Sequence, residues 1–344
     1  MTGPRILFVV DAGPRVGGGH VMRSLTLARA LEAEGCVCAF LGPPALAPVL
    51  DAFAPDMRRL TAASGEARDL GRTAGPEVFD AAAFDHYGLM ERDHRALAEQ
   101  RPVLVIDDLA DRPLGADLVL DSGPGRKAQD YADLVAPETR LLLGPRFAPV
   151  RPEFAALRET ALAWRGEPVQ RILVAMGLTD LDGITAKVVE RLRPRIGDIG
   201  LDIVLTAEAP SLPGLTKIAR RDARLQLHVD TPHMARLTAE ADVGVGGAGS
   251  SSWERCTLGL PTLQLVLAEN QRSAAEALAE RGAALSVDLS ATDFEAQFDR
   301  HLTRLLRDAD LRRSLAQASA ELCDGQGAGR AAQAFLARIG QPAA

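Results

Sequence analysis

The sequence has little of several things that mark particular classes of protein. No apolar run is long enough to cross a membrane. The opening residues MTGPRILFVV lack the longer apolar core and the small-residue cleavage site of a secretory signal. Only four cysteines occur, and their spacing does not match a structural zinc site: Cys36, Cys38, Cys256 and Cys323. We therefore expect a cytoplasmic protein without a membrane partner and without a bound metal.

The chain has no net positive charge, and aromatic side chains are scarce. Lys and Arg total 39 against 46 for Asp and Glu, so the formal net charge is −7, which leaves no basic surface typical of nucleic-acid binding. Aromatic residues make up 4%, so few rings are available to stack on sugars. The 47% hydrophobic and 25% charged composition is that of a globular protein, and 344 residues suffice for two domains. We expect a monomer.

Apolar runs of strand length alternate with helical periodicity along the chain. In the first half these runs cover residues 5–10, 36–41, 78–85, 103–108, 116–121 and 141–144. In the second half they cover residues 171–176, 201–205, 225–229, 242–247, 260–267 and 283–289, and residues 293–339 read as mostly helical. This alternation predicts an α/β protein with two Rossmann-like, doubly wound domains that face each other across a cleft.

A proline-rich segment separates the two halves of the sequence. Prolines recur between residues 145 and 168, which indicates the crossing between domains. We expect an N-terminal domain over residues 1–155 and a C-terminal domain over 165–322. Residues 323–344 are expected to form a helix that packs back on the N-terminal domain. Ligands of such sheets bind beyond the carboxyl ends of the strands, so the residues after each strand carry the functional predictions.

The stretch GVGGAGSSSWERC, residues 244–256, follows one such strand. Its glycines would let a ligand approach the backbone, and a helix that starts at the serines would offer N–H groups to a diphosphate. The alternative is a capping box between Ser251 and Glu254. The stretch is neither a Walker A loop nor a G-x-G-x-x-G fingerprint.

Polar residues follow three other predicted strands. Ala268-Glu269-Asn270-Gln271 could bind sugar hydroxyls or water, or Asn270 could simply cap the next helix. Asp85, His86 and Tyr87 end a second strand, and Asp107 and Asp108 end a third. Paired acids can bind a metal or act as bases, but we expect at least one of the two aspartates to cap a loop.

His20 stands in the segment VGGGHVMRS, at the start of a predicted helix. The positive end of a helix disfavours a protonated imidazole, so a neutral histidine there could accept a proton. The alternative is a histidine that only hydrogen-bonds the loop.

Several blocks in one order make the chain resemble the UDP-sugar hydrolases of pseudaminic acid biosynthesis, which belong with the MurG-type transferases to the glycosyltransferase-B (GT-B) superfamily. The blocks are GGGHVMRSLTLARAL, FDHYGL, VIDDLADRPLGADLVLDS, LLGPRFAPVRPEF, GGAGSSSWERCTLGLP, VLAENQ and CDGQGAGR. The resemblance implies cleavage of a UDP-activated 2,4-diacetamido-2,4,6-trideoxy sugar by inverting attack of water. It implies no cofactor, a product that enters pseudaminic acid synthesis, and a connection to flagellin glycosylation.

The resemblance also implies roles for individual residues. The catalytic set would be His20, Tyr87 and Asn270. The substrate- and UDP-binding set would be Gly18, Gly19, Arg23, Asp107, Gly177, Gly247, Gly249, Ser250, Ser251, Ser252, Glu254, Glu269 and Gln271. The diphosphate would rest on the backbone of the second glycine-rich loop, and Glu254 would hold the ribose.

Two stretches depart from the family pattern and put the identity of the sugar in question. The run MGLTDLDG, residues 176–183, lacks one glycine of a usual pair, and Asp121-Ser122-Gly123 stands where an amide is common. Two other functions stay open: a GT-B glycosyltransferase that uses a UDP-sugar donor, and a non-catalytic nucleotide-sugar-binding protein. A nicotinamide dehydrogenase is disfavoured because its fingerprint is missing.

Overall fold

The computed structural model describes residues 3–13, 16–75, 77–166 and 168–340. These residues form two compact units. Unit 1 contains the described residues up to Val150 and from Gln326 onward, and unit 2 contains those of Arg151–Gly325. Each unit is built on one parallel sheet, so the predicted pair of doubly wound α/β domains is confirmed.

Unit 1 has a seven-stranded sheet. Its strands are β1 (Arg5–Val10), β2 (Val37–Gly42), β3 (Arg58–Thr61), β4 (Ala81–Asp85), β5 (Val103–Ile106), β6 (Leu118–Asp121) and β7 (Arg140–Leu143). Its first four helices are α1 (Gly19–Ala33), α2 (Ala47–Phe53), α3 (Ala67–Ala74) and α4 (Glu91–Ala98). The spatial order β3-β2-β1-β4-β5-β6-β7 reverses direction between β1 and β4.

One strand of unit 1 was not predicted from the sequence. β3 has the sequence RRLT and lies at the edge of the sheet, with no fully buried residue. An edge strand is hydrogen-bonded on one side only and tolerates charged side chains, so it lacks the continuous apolar run of the central strands.

Unit 2 has a six-stranded sheet in the order β10-β9-β8-β11-β12-β13. Its strands are β8 (Arg171–Ala175), β9 (Gly200–Leu205), β10 (Leu225–Val229), β11 (Val243–Gly247), β12 (Thr262–Val266) and β13 (Leu285–Asp288). Its helices are α5 (Pro152–Leu162), α6 (Ile184–Leu192), α7 (Leu212–Ala219), α8 (Met234–Glu240), α9 (Ser251–Thr257), α10 (Arg272–Glu280), α11 (Phe294–Arg307) and α12 (Ala309–Leu322). Here the order reverses between β8 and β11.

The last helix, α13 (Gly327–Ile339), belongs to unit 1. Its buried face contributes Ala331, Ala332 and Phe335 to the core that contains the β1 side chains. Arg338 adds an ion pair with Asp117, with Nε 2.9 Å from Oδ1. The chain therefore leaves unit 1 after Val150 and returns to it at Gln326.

The proline-rich crossing contains a helix that the sequence analysis did not separate from it. α5 is held within unit 2 by Arg158, which donates to the carbonyls of Thr257, Ala320 and Cys323 near the ends of α9 and α12. A guanidinium at helix C-termini satisfies carbonyls that have no intrahelical partner. Among the described helices, none combines the length and the apolar character needed to cross a membrane.

Candidate functional site

The order of strands in the unit 1 sheet changes direction between β1 and β4, a point that we call the chain reversal. The segments that follow these two strands lie side by side at the carboxyl-terminal end of the sheet. Val10, the last residue of β1, is in register with Asp85, the last residue of β4. The loop after β1 leads into α1, whose second residue is His20. Such a reversal is where doubly wound sheets bind ligands, so His20 and the residues after β4 meet at the expected position.

His20 forms a pair with the carboxylate of Asp85. Nδ1 of the imidazole lies 2.9 Å from Oδ1 of Asp85, and both side chains are buried. The ring is also fixed from another side, because it packs edge-on against the ring of Tyr87 with centroids 4.4 Å apart. With Nδ1 engaged, Nε2 is the nitrogen that remains for proton transfer.

The protonation state of Asp85 determines the tautomer of His20. Burial alone would raise the pKa of Asp85, but the charge and the hydrogen bonds of Arg23 hold the pKa well below its usual range. An ionised carboxylate can only accept hydrogen bonds, so Nδ1 of His20 must carry the proton that faces it. In the neutral ring the lone pair is then on Nε2, which is the arrangement that a general base requires.

Arg23 connects this pair to a second aspartate. Its Nε and Nη2 donate to the two carboxylate oxygens of Asp85, each at 2.7 Å, and its Nη1 donates to Oδ2 of Asp108 at 2.7 Å. We predicted Arg23 as a substrate-binding residue. The guanidinium is instead directed at two carboxylates of the protein, so we assign it to the support of Asp85.

Tyr87 contacts both Asp108 and His20, so five side chains form a closed ring of contacts. Its hydroxyl donates to Oδ1 of Asp108 at 2.7 Å, while its ring contacts His20. Burial by itself would raise the pKa of Asp108, but Arg23 lowers it, so the phenol faces an ionised acceptor. We call His20, Asp85, Arg23, Asp108 and Tyr87 the base cluster.

Asp107 belongs to a separate buried network. Its carboxylate accepts from Arg112 at 2.8 Å, from the N–H of Ala110 at 2.8 Å and from the hydroxyl of Tyr131 at 2.9 Å. Tyr131 also contacts Asp121 at 2.7 Å. This matches the expectation that one of the two consecutive acids caps a loop, and of the two only Asp108 belongs to the base cluster.

Acid should destabilise unit 1 through the base cluster. The pKa of Asp108 is lower in the folded protein than in the unfolded chain, so its stabilising effect is complete above about pH 4 and is lost as the pH falls below that. Urea unfolding followed between about pH 5 and pH 3 should therefore show declining stability. Asp108→Asn should be less stable at neutral pH but should decline less steeply.

A suitable control is Asp121→Asn. Burial raises the pKa of Asp121 in the folded protein, so Asp121 makes the protein more stable as the pH falls, the opposite of Asp108. The loss of stability between about pH 5 and pH 3 should therefore be no less steep in Asp121→Asn than in the wild-type protein. Equal slopes for Asp108→Asn and the wild-type protein would contradict an ionised Asp108 in the folded state.

The equivalent edge of unit 2 carries the predicted serine loop. Gly247 ends β11, Gly249 and Ser250 follow, and α9 begins at Ser251 as predicted. The capping box is not formed, because Ser250 occupies the cap position without a side-chain cap bond. The carboxylate of Glu254 pairs instead with Arg151, with Oε1 3.0 Å from Nε and 2.9 Å from Nη2.

The other helix at this edge is closed to anions. Gly177 follows β8 with φ +104°, and the loop continues to α6. The buried carboxylate of Asp180 accepts the N–H of Thr185 at 2.8 Å, and the hydroxyl of Ser211 accepts the N–H of Ala186 at 3.0 Å. A carboxylate already occupies the start of α6, so of the two loops at this reversal the serine loop is the one suited to phosphate.

The turn after β12 contains the predicted Glu269, Asn270 and Gln271, which form a short 3-10 helix before α10. Asn270 does not cap α10, since Gln271 is the residue before its first turn. The Gln271 side chain accepts the N–H of Leu267 at 3.0 Å. Glu269 pairs with Arg272 through Oε2 and Nη2 at 3.0 Å.

Metal ligation is not indicated in the ranges that the structure describes, where no group of three or more His, Cys, Asp or Glu could hold an ion. The sequence analysis named Asp85 and Asp108 but not their contacts with His20, Arg23 and Tyr87. It did not single out Tyr131 or Arg151, which contact Asp107 and Glu254. Asp85 had a visible signal, because it ends a predicted strand two residues before Tyr87. Arg151 had none, since 103 positions separate it from Glu254.

Comparison with known proteins adds evidence from sequence. The chain is 25% identical over 279 residues to the UDP-2,4-diacetamido-2,4,6-trideoxy-beta-L-altropyranose hydrolase of Campylobacter jejuni, an alignment that covers 81% of this chain and 97% of that protein. It is 28% identical over 191 residues to the spore coat polysaccharide biosynthesis protein SpsG of Bacillus subtilis, covering 55% of this chain and 56% of that protein. No family profile matches the chain.

The solved structures that are similar in fold include glycosyltransferases. MurG of Acinetobacter baumannii matches with a TM-score of 0.67 and 18% identity over 97% of this chain and 100% of that one. The spinosyn rhamnosyltransferase SpnG in complex with thymidine diphosphate matches with a TM-score of 0.67 and 17% identity over 98% and 100%. The chain thus has the fold of GT-B glycosyltransferases and a sequence similar to that of a nucleotide-sugar hydrolase.

Proposed function

We propose that this protein hydrolyses a UDP-activated 2,4-diacetamido-2,4,6-trideoxy sugar to the free sugar and UDP, with inversion at the anomeric carbon. The observation that carries the proposal is the buried His20–Asp85 pair at the chain reversal of unit 1. A histidine oriented by an ionised carboxylate is a common general base. The similarity to the Campylobacter hydrolase supports the choice of substrate.

In this mechanism Nε2 of His20 takes a proton from water as the water oxygen attacks the anomeric carbon. The new bond is between that oxygen and the carbon, and the bond that breaks joins the carbon to the oxygen of the β-phosphate. The electron pair leaves with UDP. Because the diphosphate spreads the new negative charge over its oxygens, UDP leaves without being protonated by an acid of the protein. Tyr87 and Asn270 are proposed to position the water and the sugar, and Gly18 and Gly19 to leave room for them.

The base cluster carries a net charge when His20 is neutral. Asp85 and Asp108 are ionised and Arg23 is a cation, so the three side chains together carry one negative charge. When His20 gains the proton from water, the buried cluster becomes neutral.

Unit 2 is proposed to bind the nucleotide. We assign the diphosphate to the serine loop of Gly247, Gly249, Ser250, Ser251 and Ser252, because the start of α6 is already occupied by Asp180. Glu254, held by Arg151, is proposed to accept the ribose hydroxyls. The remaining residues proposed to contact ligand are Gly177, Glu269 and Gln271.

The test is to incubate the protein with the UDP-sugar and no acceptor in ¹⁸O-labelled water. Equimolar UDP and free sugar should appear, with the label on the anomeric oxygen of the sugar and the inverted anomer visible first by NMR. Label in the phosphate would contradict attack at carbon. A panel of UDP-sugars without the acetamido groups serves as the control for sugar identity.

The similarity in fold to MurG and SpnG supports one other candidate, a glycosyltransferase. A transferase would release UDP at a useful rate only when an acceptor is added. UDP release that remains slow in water and rises at least about a hundredfold with an acceptor would replace hydrolysis by transfer.

A further inference from the structure

Arg255 lies beneath the serine loop and is almost completely buried, with 4% of its surface exposed. Its Nη1 donates to the hydroxyl oxygen of Ser251 at 3.0 Å. Its Nη2 donates to the hydroxyl oxygen of Ser252 at 3.0 Å and to the carbonyl of Gly247 at 2.8 Å. One planar guanidinium therefore holds the end of β11 and two of the three serines, Ser251 and Ser252, in a fixed arrangement.

Gly246 of β11 leaves space for this arginine. A Cβ added to Gly246 would lie 2.8 Å from Nη1 of Arg255 and 2.8 Å from the carbonyl oxygen of Ala175, so no larger residue fits beside the guanidinium. A Cβ added to Gly244 would instead lie closest to the side chains of Leu260 and Thr262. We had interpreted the glycines at these positions as sites of close ligand approach. At Gly246 the space is filled instead by the guanidinium of Arg255.

The contacts with Arg255 determine which way the serine hydroxyls can donate. Each of the two hydroxyl oxygens accepts a hydrogen bond from an N–H of the guanidinium. A hydroxyl has one proton, and a guanidinium has no acceptor for it, so the O–H bonds must point away from Arg255. Both serines are thereby prepared to donate to an acceptor on the other side of the loop.

The charge of Arg255 is not neutralised within the protein. Among the described residues, no carboxylate forms an ion pair with it, since neighbouring Glu254 pairs with Arg151. Burial lowers the pKa of Arg255, but an arginine remains a cation at physiological pH. A buried charge without a counter-charge is unfavourable, and an anion that binds the adjacent loop would offset that cost.

We propose that Arg255 sets the affinity of the serine loop for the phosphate groups of a nucleoside diphosphate, acting through Ser251 and Ser252. It is a positioning residue that does not itself touch the ligand. The proposal deepens the nucleotide-binding part of the proposed function and rests on it, but it does not depend on whether the sugar is hydrolysed or transferred.

The experiment compares the binding of UDP, UMP and uridine by isothermal titration calorimetry to the full-length wild-type protein and to Arg255→Met. The variant should bind UDP about 10- to 100-fold more weakly, UMP with a smaller loss and uridine within about twofold of wild type. Arg255→Lys, which keeps the charge but not the fork, should lie between the two. Arg312→Met is the matched control, since Arg312 is also buried in unit 2 and donates to the carbonyl of Leu305.

Three results would overturn the inference. One is a UDP-to-uridine affinity ratio that stays unchanged in both folded Arg255 variants. A second is an equal change of that ratio in Arg312→Met, which would indicate a general packing effect. The third is a wild-type protein that binds no nucleoside diphosphate. If GDP or TDP binds and UDP does not, the uridine in the proposed function is wrong, and Arg255 is tested with that nucleotide instead.

Discussion

Replacing His20 by alanine is expected to lower kcat for UDP-sugar hydrolysis by about 10³-fold, in the range typical of a lost general base. UDP should bind with wild-type affinity because His20 is assigned no contact with the nucleotide. The measurements are steady-state release of UDP and calorimetric titration with UDP. A His20→Ala protein with unchanged kcat would remove His20 as the base.

The chain supplies a matched control for this substitution. His228 in unit 2 also pairs with a buried aspartate, with Nε2 2.7 Å from Oδ1 of Asp202, and that aspartate is held by Arg171 through two bonds. This second trio repeats the chemistry of His20, Asp85 and Arg23, but it is formed by neighbouring strands and not at a chain reversal. His228→Ala should keep kcat within about twofold of wild type. Equal losses in the two variants would indicate that the effect comes from disruption of a buried pair.

The second large effect is expected for Asp85→Asn, which should lower kcat by about 10³-fold or more. An asparagine has only one acceptor oxygen where Asp85 now accepts from Arg23, Ser24 and His20. Its amide group would donate toward Nδ1 or toward Arg23, so His20 would lose the tautomer that leaves Nε2 as a base. The loss should appear in kcat more than in KM.

The control for Asp85→Asn is Asp202→Asn, which alters the corresponding carboxylate of the second trio. Both variants remove a buried ion pair and should lower the melting temperature, but only Asp85→Asn should remove activity. Thermal unfolding and circular dichroism at the assay temperature establish that each variant is folded when kcat is measured. If Asp85→Asn is folded and fully active, the carboxylate does not orient the base.

Most strands could be predicted from the sequence because buried parallel strands read as continuous apolar runs. β1 and β10 have the predicted bounds, and the other central strands agree to within a few residues. β3 escaped because its edge position permits two arginines. The helix of the crossing, α5, escaped because prolines at its start and beyond its end resemble those of a linker.

The site could be predicted only in part. His20 and Tyr87 were proposed from the sequence, and the structure brings their rings into contact. Arg23 and Asp107 were expected to bind ligand, yet both are committed to buried ion pairs. A local motif shows that a charged residue follows a strand, but it does not show whether that residue turns outward to a ligand or inward to a partner.

The glycines of the second loop show the same difference. The pattern GVGG indicates positions where side chains are excluded, which was correct. It does not indicate what fills the space, and Arg255, nine residues after Gly246, was not suspected. A slot for a protein side chain and a platform for a ligand leave the same sequence signal, because both require a missing Cβ.

By itself the sequence determined the two α/β units, the strand ends that carry polar residues and the position of His20 at the start of a helix. These properties follow from periodicity and from residues that are close along the chain. Only the tertiary structure decided which carboxylate faces His20, since that depends on the register of β1 with β4, 65 positions apart for His20 and Asp85. Hydrogen bonds and ion pairs act over a few ångströms, so partners that are distant in sequence become defined only when the sheet has formed.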